Sequence, residues 1–246
     1  MANPNIPIVN APNKYVNGLA VSQVGTGILG VAAGAARDSS NTNDIILPGS
    51  INGLITRIGV NGLDTGTTTV NTNYAVYLIG DSTGKSATAY TFSLSAISPL
   101  LPGGYDIFRR IGWFRTSSSS ANLISRYFEF GDGQNRSYYA EDPITFLTGG
   151  NATTFTIVNP STSGASPAVN TELLLDVIYT PASATNTAQF IPANSAVAVV
   201  AFGTGVAGAQ RGSIRIPAPG GSFRYKVTNA GDSLTLAVSG FTDTIL

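Results

Sequence analysis

What most constrains this chain is a repeated coupling of short alternating runs with glycine- and asparagine-marked reversals. Phe223, Tyr225 and Val227 alternate with polar neighbours, as do Leu234, Leu236 and Val238, and Phe92 with Leu94. Apolar residues at every second position line one face of a strand and leave the other face wet. Between such runs stand Asn61-Gly62, Gly131-Asp-Gly133, Pro219-Gly-Gly221 and Asn229-Ala-Gly-Asp232, the residue types that reversals and positive φ favour. Strands are predicted at Ile55–Val60, Tyr74–Ile79, Tyr90–Ala96, Phe108–Arg115, Ser125–Phe130, Ile144–Leu147, Thr153–Val158, Glu172–Thr180, Ala196–Phe202, Ser213–Ile216, Ser222–Thr228 and Ser233–Ser239. No stretch of ten residues carries a convincing helical period. The expectation is all-β: an antiparallel β-sandwich, jelly-roll-like, with Ser222–Ser239 as its clearest hairpin.

The 246 residues are enough to bury a substantial core. Residues 1–50 differ from the rest. They open with Asn3-Pro-Asn-Ile-Pro7, continue through a Gly/Ala-rich stretch and end in Arg37-Asp-Ser-Ser-Asn-Thr-Asn-Asp44. That composition predicts an extended N-terminal arm used for docking or oligomerisation, followed by a sandwich domain over 51–246. Met1-Ala-Asn-Pro-Asn5 has neither the basic nor the apolar region of a signal peptide, so none is expected. Val16–Ala36 is uncharged, but five glycines with Asn17, Ser22, Gln23 and Thr26 make it too polar for a membrane span, and no membrane insertion is expected.

Thirteen basic residues balance thirteen acidic ones, and only 11% of the chain is charged, so no field exists to hold a nucleic acid. The chain has no cysteine and no histidine. Disulfides, thiolate or imidazole metal sites and histidine-assisted nucleophiles are therefore excluded within one chain. This decides the reading of Gly80-Asp-Ser-Thr-Gly84, which spells a nucleophile elbow after a predicted strand but has no base. As a P-loop it is one residue short between its glycines. A polar turn accounts for it, and no catalytic residue, cofactor or metal is expected.

Ten of the thirteen basic residues are arginine, and Arg109, Arg110, Arg115, Arg126 and Arg136 cluster in sequence near Asp106, Glu129, Asp132, Glu141 and Asp142. They are either exposed cross-strand ion pairs or bidentate pairs that join subunits, and the five arginines are the candidate subunit interface. The clustered acids lack the ligand spacing of a calcium loop. Trp113, Tyr127, Phe128, Phe130, Tyr138 and Tyr139 form an aromatic group. They read as core and cross-strand packing, or, for Trp113, Tyr138 and Tyr139, as contacts to a glycan.

Three places resemble tailed-bacteriophage virion proteins. The first is Val31–Ile45, a small-residue turn followed by Arg-Asp-Ser-x-Asn-Thr and an aliphatic strand. The second runs from Tyr74-Ala-Val-Tyr-Leu-Ile79 through Phe92-Ser-Leu-Ser95 and Leu101-Pro-Gly-Gly-Tyr105 to Arg109-Arg-Ile-Gly112 and Arg115-Thr116. The third is the ending Gly240-Phe-Thr-Asp243. The resemblance implies a non-enzymatic structural protein of head-fibre, decoration, collar or tail-fibre type, made in the host cytoplasm and located in the virion. It also implies a symmetric oligomer, commonly a homotrimer, whose partners are itself and the capsid, portal, collar or tail proteins. The chain is short and has no heptads or β-helix repeat, which points away from a fibre shaft. An alternative from another class is a glycan-binding receptor module of a tail tip, with a host-surface glycan as partner. A third is a depolymerase, which would need a carboxylate pair at fixed separation.

Overall fold

The computed structural model describes residues 13–125, 127–131, 135–197, 200–203, 205–206 and 208–244. Among these it is all-β and antiparallel, and it divides into two compact units. The first is Met1–Arg136 with Thr244–Leu246, and the second is Ser137–Asp243.

In the first unit, β1 (Val16–Gly18), β2 (Val21–Gly25), β3 (Ile28–Val31), β4 (Gly34–Arg37), β5 (Asp44–Leu47) and β6 (Ile51–Leu54) make two small sheets, ordered β1-β4-β5 and β2-β3-β6. A third sheet holds β7 (Asn73–Gly80), β8 (Ala89–Ser93), β9 (Ile107–Thr116) and β10 (Ile124–Ser125), in the order β10-β9-β7-β8. Its inward residues Tyr74, Val76, Leu78, Tyr90, Phe92, Ile111 and Phe114 share one core with Val16, Leu19, Val21, Leu29, Val31, Ala36, Ile45 and Leu47. Phe92 meets Tyr74 and Phe114 edge-on, at ring-centroid distances of 5.6 and 4.9 Å.

Residues 16–47 thus differ from the extended arm that their composition suggested. The abundance of small residues has a packing role, because two backbones approach closely there. A Cβ on Gly34 would lie 2.7 Å from Leu19 N. Residues 1–12 of the expected arm lie outside the described residues, and the boundary between compact units falls at Arg136 rather than at residue 50.

The second unit is built from β12 (Asn135–Gly150), which begins in the first unit, then β13 (Thr156–Val158), β14 (Thr171–Thr180), β15 (Ala188–Pro192), β16 (Val200–Phe202), β17 (Gln210–Ala218), β18 (Phe223–Val227) and β19 (Ser233–Thr244). They form two sheets, ordered β12-β19-β14-β17 and β13-β18-β15-β16. Leu173, Leu175, Val177, Tyr179, Ile216, Leu234, Leu236 and Val238 of one sheet and Phe190, Phe223, Tyr225 and Val227 of the other are buried, as a sandwich requires. The strand β11 (Tyr127–Phe130) belongs to the first unit.

The Ser222–Ser239 hairpin is not formed. β18 pairs with β13 and β15, whereas β19 pairs with β14, so the turn between them carries the chain from one sheet to the other. The crossing is held by Asp232, which is 3% exposed. Its carboxylate accepts from Asn229 N (3.0 Å), Ala182 N (2.7 Å), Asn186 Nδ2 (2.7 Å) and Tyr179 Oη (2.9 Å). Pro219-Gly-Gly221 is a second crossing, with Gly220 and Gly221 at φ of 63° and 74°.

Burial pushes the Asp232 carboxyl up, but the four donors outweigh it and hold the carboxyl below its ordinary 3.8. Its stabilisation is therefore complete above that ordinary value and is lost as pH falls through the depressed folded-state value. Asp232→Ala removes the acceptor from buried donors and is expected to cost about 3 kcal/mol, read from urea unfolding at pH 7. The difference from wild type should shrink in acid.

Candidate functional site

The segment Leu101–Thr116 supplies β9 and the turn before it. Its strand pairs with β7 across eight positions, with one irregularity between Val76 and Tyr77 that re-aims the residues around Ile111. The alternation sends Ile111 and Phe114 into the core. Arg110 lies over the Trp113 ring, 5.2 Å from its centroid.

The arginines differ from the expected exposed or intersubunit cluster. Arg109, Arg115 and Arg136 are only 1%, 4% and 1% exposed. Arg109 donates to the carbonyl of Lys14 (3.0 Å), and Arg115 to Asn71 Oδ1 (2.9 Å). Arg136 donates to the carbonyls of Leu19 (3.1 Å) and Gly18 (2.6 Å) and pairs with Glu129 (2.5 Å). These groups fasten loops of their own unit and show no surface to a partner. Burial, with Arg110 beside it, lowers the Arg109 pKa, and Asp38 opposes that shift. Burial also raises Glu129 despite Arg136 and the Val21 amide, so desolvation outweighs the ion pair there. Arg110 is half-buried and donates to Ala96 O (3.1 Å). Arg126 lies outside the described residues.

Two of the stretches that carry the virion resemblance meet here. Ser39 donates through both N and Oγ to the carbonyl of Phe108, at 2.8 and 2.9 Å. The turn 38–43 is organised by Asp38, 2% exposed, which accepts from Ser40 Oγ (2.6 Å), Thr42 N (2.7 Å) and Asn43 N (3.0 Å). Burial raises the Asp38 carboxyl, and these donors together with the Asn43 amide carry it below its ordinary value. The Arg-Asp-Ser-x-Asn-Thr pattern is thus the pattern of a carboxylate-capped turn.

Gly80–Gly84 is likewise a turn. Asp81 accepts from Thr83 N and Oγ1, Lys85 N and Ser86 N, at 2.7–2.9 Å. The Thr83 hydroxyl and amide lead in pulling its pKa down to about 2. Ser82 gives its amide (2.7 Å) and its hydroxyl to Asp106.

The aromatic residues proposed for a glycan are dispersed between the units. Trp113 is 4% exposed, and Tyr138 is 1% exposed and stacked on Phe241 at 4.8 Å, so neither presents a ring face to a ligand. Tyr139 is half-buried and accepts from Arg215 (3.4 Å), which also pairs with Glu172 (3.3 Å) on the outer face of the second unit. The clustered acids do not converge: Glu129 serves Arg136, Glu141 and Asp142 are exposed on β12, and Asp132 lies outside the described residues. Among the described residues no group of three His, Cys, Asp or Glu could hold a metal ion, and no helix is long and apolar enough to cross a membrane.

Sequence reading missed the surface that does stand out. Leu94, Ile97 and Leu100 are 61%, 87% and 62% exposed on a loop that is nevertheless pinned. Ser95 Oγ accepts from Ile97 N and Ser98 N, Tyr77 Oη donates to Ser95 O, and Leu100 N donates to Asp64. The signal was the unbroken run Ile97-Ser-Pro-Leu-Leu101 just before the turn, which alternation assigned to a strand end. A cleft of about 570 Å³ between the 44–51 segment and the 80–88 loop was also not anticipated.

No family model and no curated protein matches this chain. Among solved structures it is similar to the VP2 subviral particle of infectious bursal disease virus, at 12% identity over 100% of this chain and 74% of that chain, with a TM-score of 0.21. It is similar to T=1 particles derived from that virus at 9% identity, over 100% and 72% of the two chains, with a TM-score of 0.21. Likenesses at this level carry no argument about this chain.

Arg136→Ala is expected to destabilise the protein by about 3–5 kcal/mol, because it leaves Glu129 and two carbonyls without their buried donor. Arg110→Ala should cost about 1 kcal/mol, the scale of an exposed cation–π contact. Thermal unfolding of the two variants side by side reads the difference.

Proposed function

We infer that this chain is a non-enzymatic structural component of a tailed-bacteriophage virion, of decoration, head-fibre, collar or short tail-fibre kind. The observation that carries the reading is the strand order of the second unit. Counting β12 to β19 as one to eight, the sheets run 1-8-3-6 and 2-7-4-5. Only β15 to β16 stays within a sheet; every other connection crosses. That is the winding of an eight-stranded jelly roll, a fold used by viral capsid and lectin domains. Fold alone is an analogy. The sequence resemblance in the first unit favours the virion half of that pair, and the burial of Trp113 and Tyr138 disfavours the lectin half.

Self-association into a symmetric oligomer, commonly a trimer, belongs to the same reading, and the support for it is the pinned loop of Leu94, Ile97 and Leu100. A rigid loop with apolar tips loses little entropy when it is covered. The docking function given to the N-terminal arm falls to residues 1–12, since residues 16–47 carry core strands.

Electron microscopy of particles from an infected culture tests the reading. The expected result is a fixed copy number with the second unit visible on the particle, and absence from purified particles refutes it. Ile97→Asp with Leu100→Asp should reduce the mass seen by light scattering to that of one chain without lowering the Tm. An unchanged mass would refute the loop as the contact.

A further inference from the structure

The cleft of about 570 Å³ in the first unit is bordered by an incomplete sheet. β5 is the terminal strand of β1-β4-β5, and the direction of its backbone groups follows from two hydrogen bonds. Arg37 N donates to Tyr15 O (3.0 Å), so the backbone of Arg37 faces the β1 side. Asp38 N donates to Asn43 O (2.8 Å), so that pair faces inward across the turn. Pairing alternates along an antiparallel ladder, with Arg37 opposite Asp44 and Ala35 opposite Ile46. Ile45 and Leu47 therefore bond to β4, while Asp44 and Ile46 point N–H and C=O away from it into the cleft. Among the described residues no hydrogen bond meets those groups. The Asp44 carboxylate is already held by Arg37 at 3.1 Å, so what Asp44 offers the cleft is its backbone. The opposite wall is kept open by Gly80, where a Cβ would come within 3.1 Å of Ile45 and 3.2 Å of Ile107.

Unpaired edge groups beside a cleft form a site for an added strand. The described chain begins beside it. Lys14 N donates to Asn41 Oδ1 (2.8 Å) in the turn that leads directly into β5. Five further residues can reach about 17 Å when extended, enough to return along β5. The sequence there, Asn5-Ile-Pro-Ile-Val-Asn10, is uncharged and suits an edge strand. Ile6 and Ile8 share one parity and carry amides, while Pro7, with none, takes the opposite parity and faces away from β5. The run ends on the turn side, so it would lie antiparallel to β5, with Ile8 opposite Asp44 and Ile6 opposite Ile46.

We propose that residues Asn5–Asn10 add to the open edge of β5 as a fourth strand, antiparallel and in the register Ile6 to Ile46. This deepens the docking function given above to residues 1–12. When the strand comes from a neighbouring copy, the addition joins two subunits through main-chain hydrogen bonds. When it comes from the same chain, it closes the sheet.

The chain has no cysteine, so engineered disulfides report the contact cleanly. In the full-length protein, Ile6→Cys with Ile46→Cys should oxidise readily, since paired residues sit within disulfide reach. Pro7→Cys with Ile46→Cys presents the other face and should cross-link at least about tenfold more slowly. Non-reducing gels separate a one-chain product from a two-chain product, and either one supports the site. In parallel, the Ile46 amide should exchange at least about tenfold faster once residues 2–12 are deleted. Absent or register-independent cross-linking, or an Ile46 amide unchanged by the deletion, overturns the β5 site. The virion reading, which rests on the second unit, would then stand or fall separately by microscopy.

Discussion

The constraint on which the rest of this structure depends is the satisfaction of backbone amides where the chain leaves a ladder. A fold wound between sheets has many such places, and each exposes N–H groups that no strand can meet. Aspartate side chains meet them: Asp38 takes Thr42 and Asn43, Asp81 takes Thr83, Lys85 and Ser86, and Asp232 takes Ala182 and Asn229. Asp64 and Asp106 do the same for Leu100 and Ser82. The buried arginines are the complement, giving their hydrogens to carbonyls of Lys14, Gly18 and Leu19 that lie near strand ends.

This allocation shapes what the molecule can do. With charges this few, most of those that the fold buries are committed to holding its own loops. A carboxylate saturated by three or four donors is a poor base and a poor metal ligand, because its lone pairs are occupied and its proton affinity is depressed. The chemistry left to the surface is apolar contact, at Leu94, Ile97 and Leu100, and main-chain pairing, at the edge of β5. Both are means of assembly.

Period-two alternation found most strands because it reports that one face is buried. It located β7, β9, β14, β18 and β19 to within a few residues. It caught only part of β12, where Glu141, Asp142 and Pro143 are exposed and carry no alternation, and it missed β15, whose residues are mostly buried. Around Ile55 it anticipated a strand where the chain turns and lays Asp64 and Leu63 along the edge of β8. The candidate site was less legible. Arginines near acids in sequence look the same whether they pair on a surface or fasten carbonyls inside, because the carbonyls come from residues about a hundred positions away.

By itself the sequence determined the class of fold, the positions of the reversals and the closure of histidine- and thiol-based chemistry, all of which rest on local geometry or on which atoms exist. Tertiary structure alone decided which sheet each strand joins. A turn such as Asn229–Asp232 reverses the chain equally well within a sheet or between two, and the choice falls to the packing of Phe223, Tyr225 and Val227 against one set of neighbours and Leu234, Leu236 and Val238 against another. It also decided that residues 16–47 carry a core. Small side chains contribute little hydrophobic area one by one, but they let backbones approach, and that gain exists only once both strands are in place.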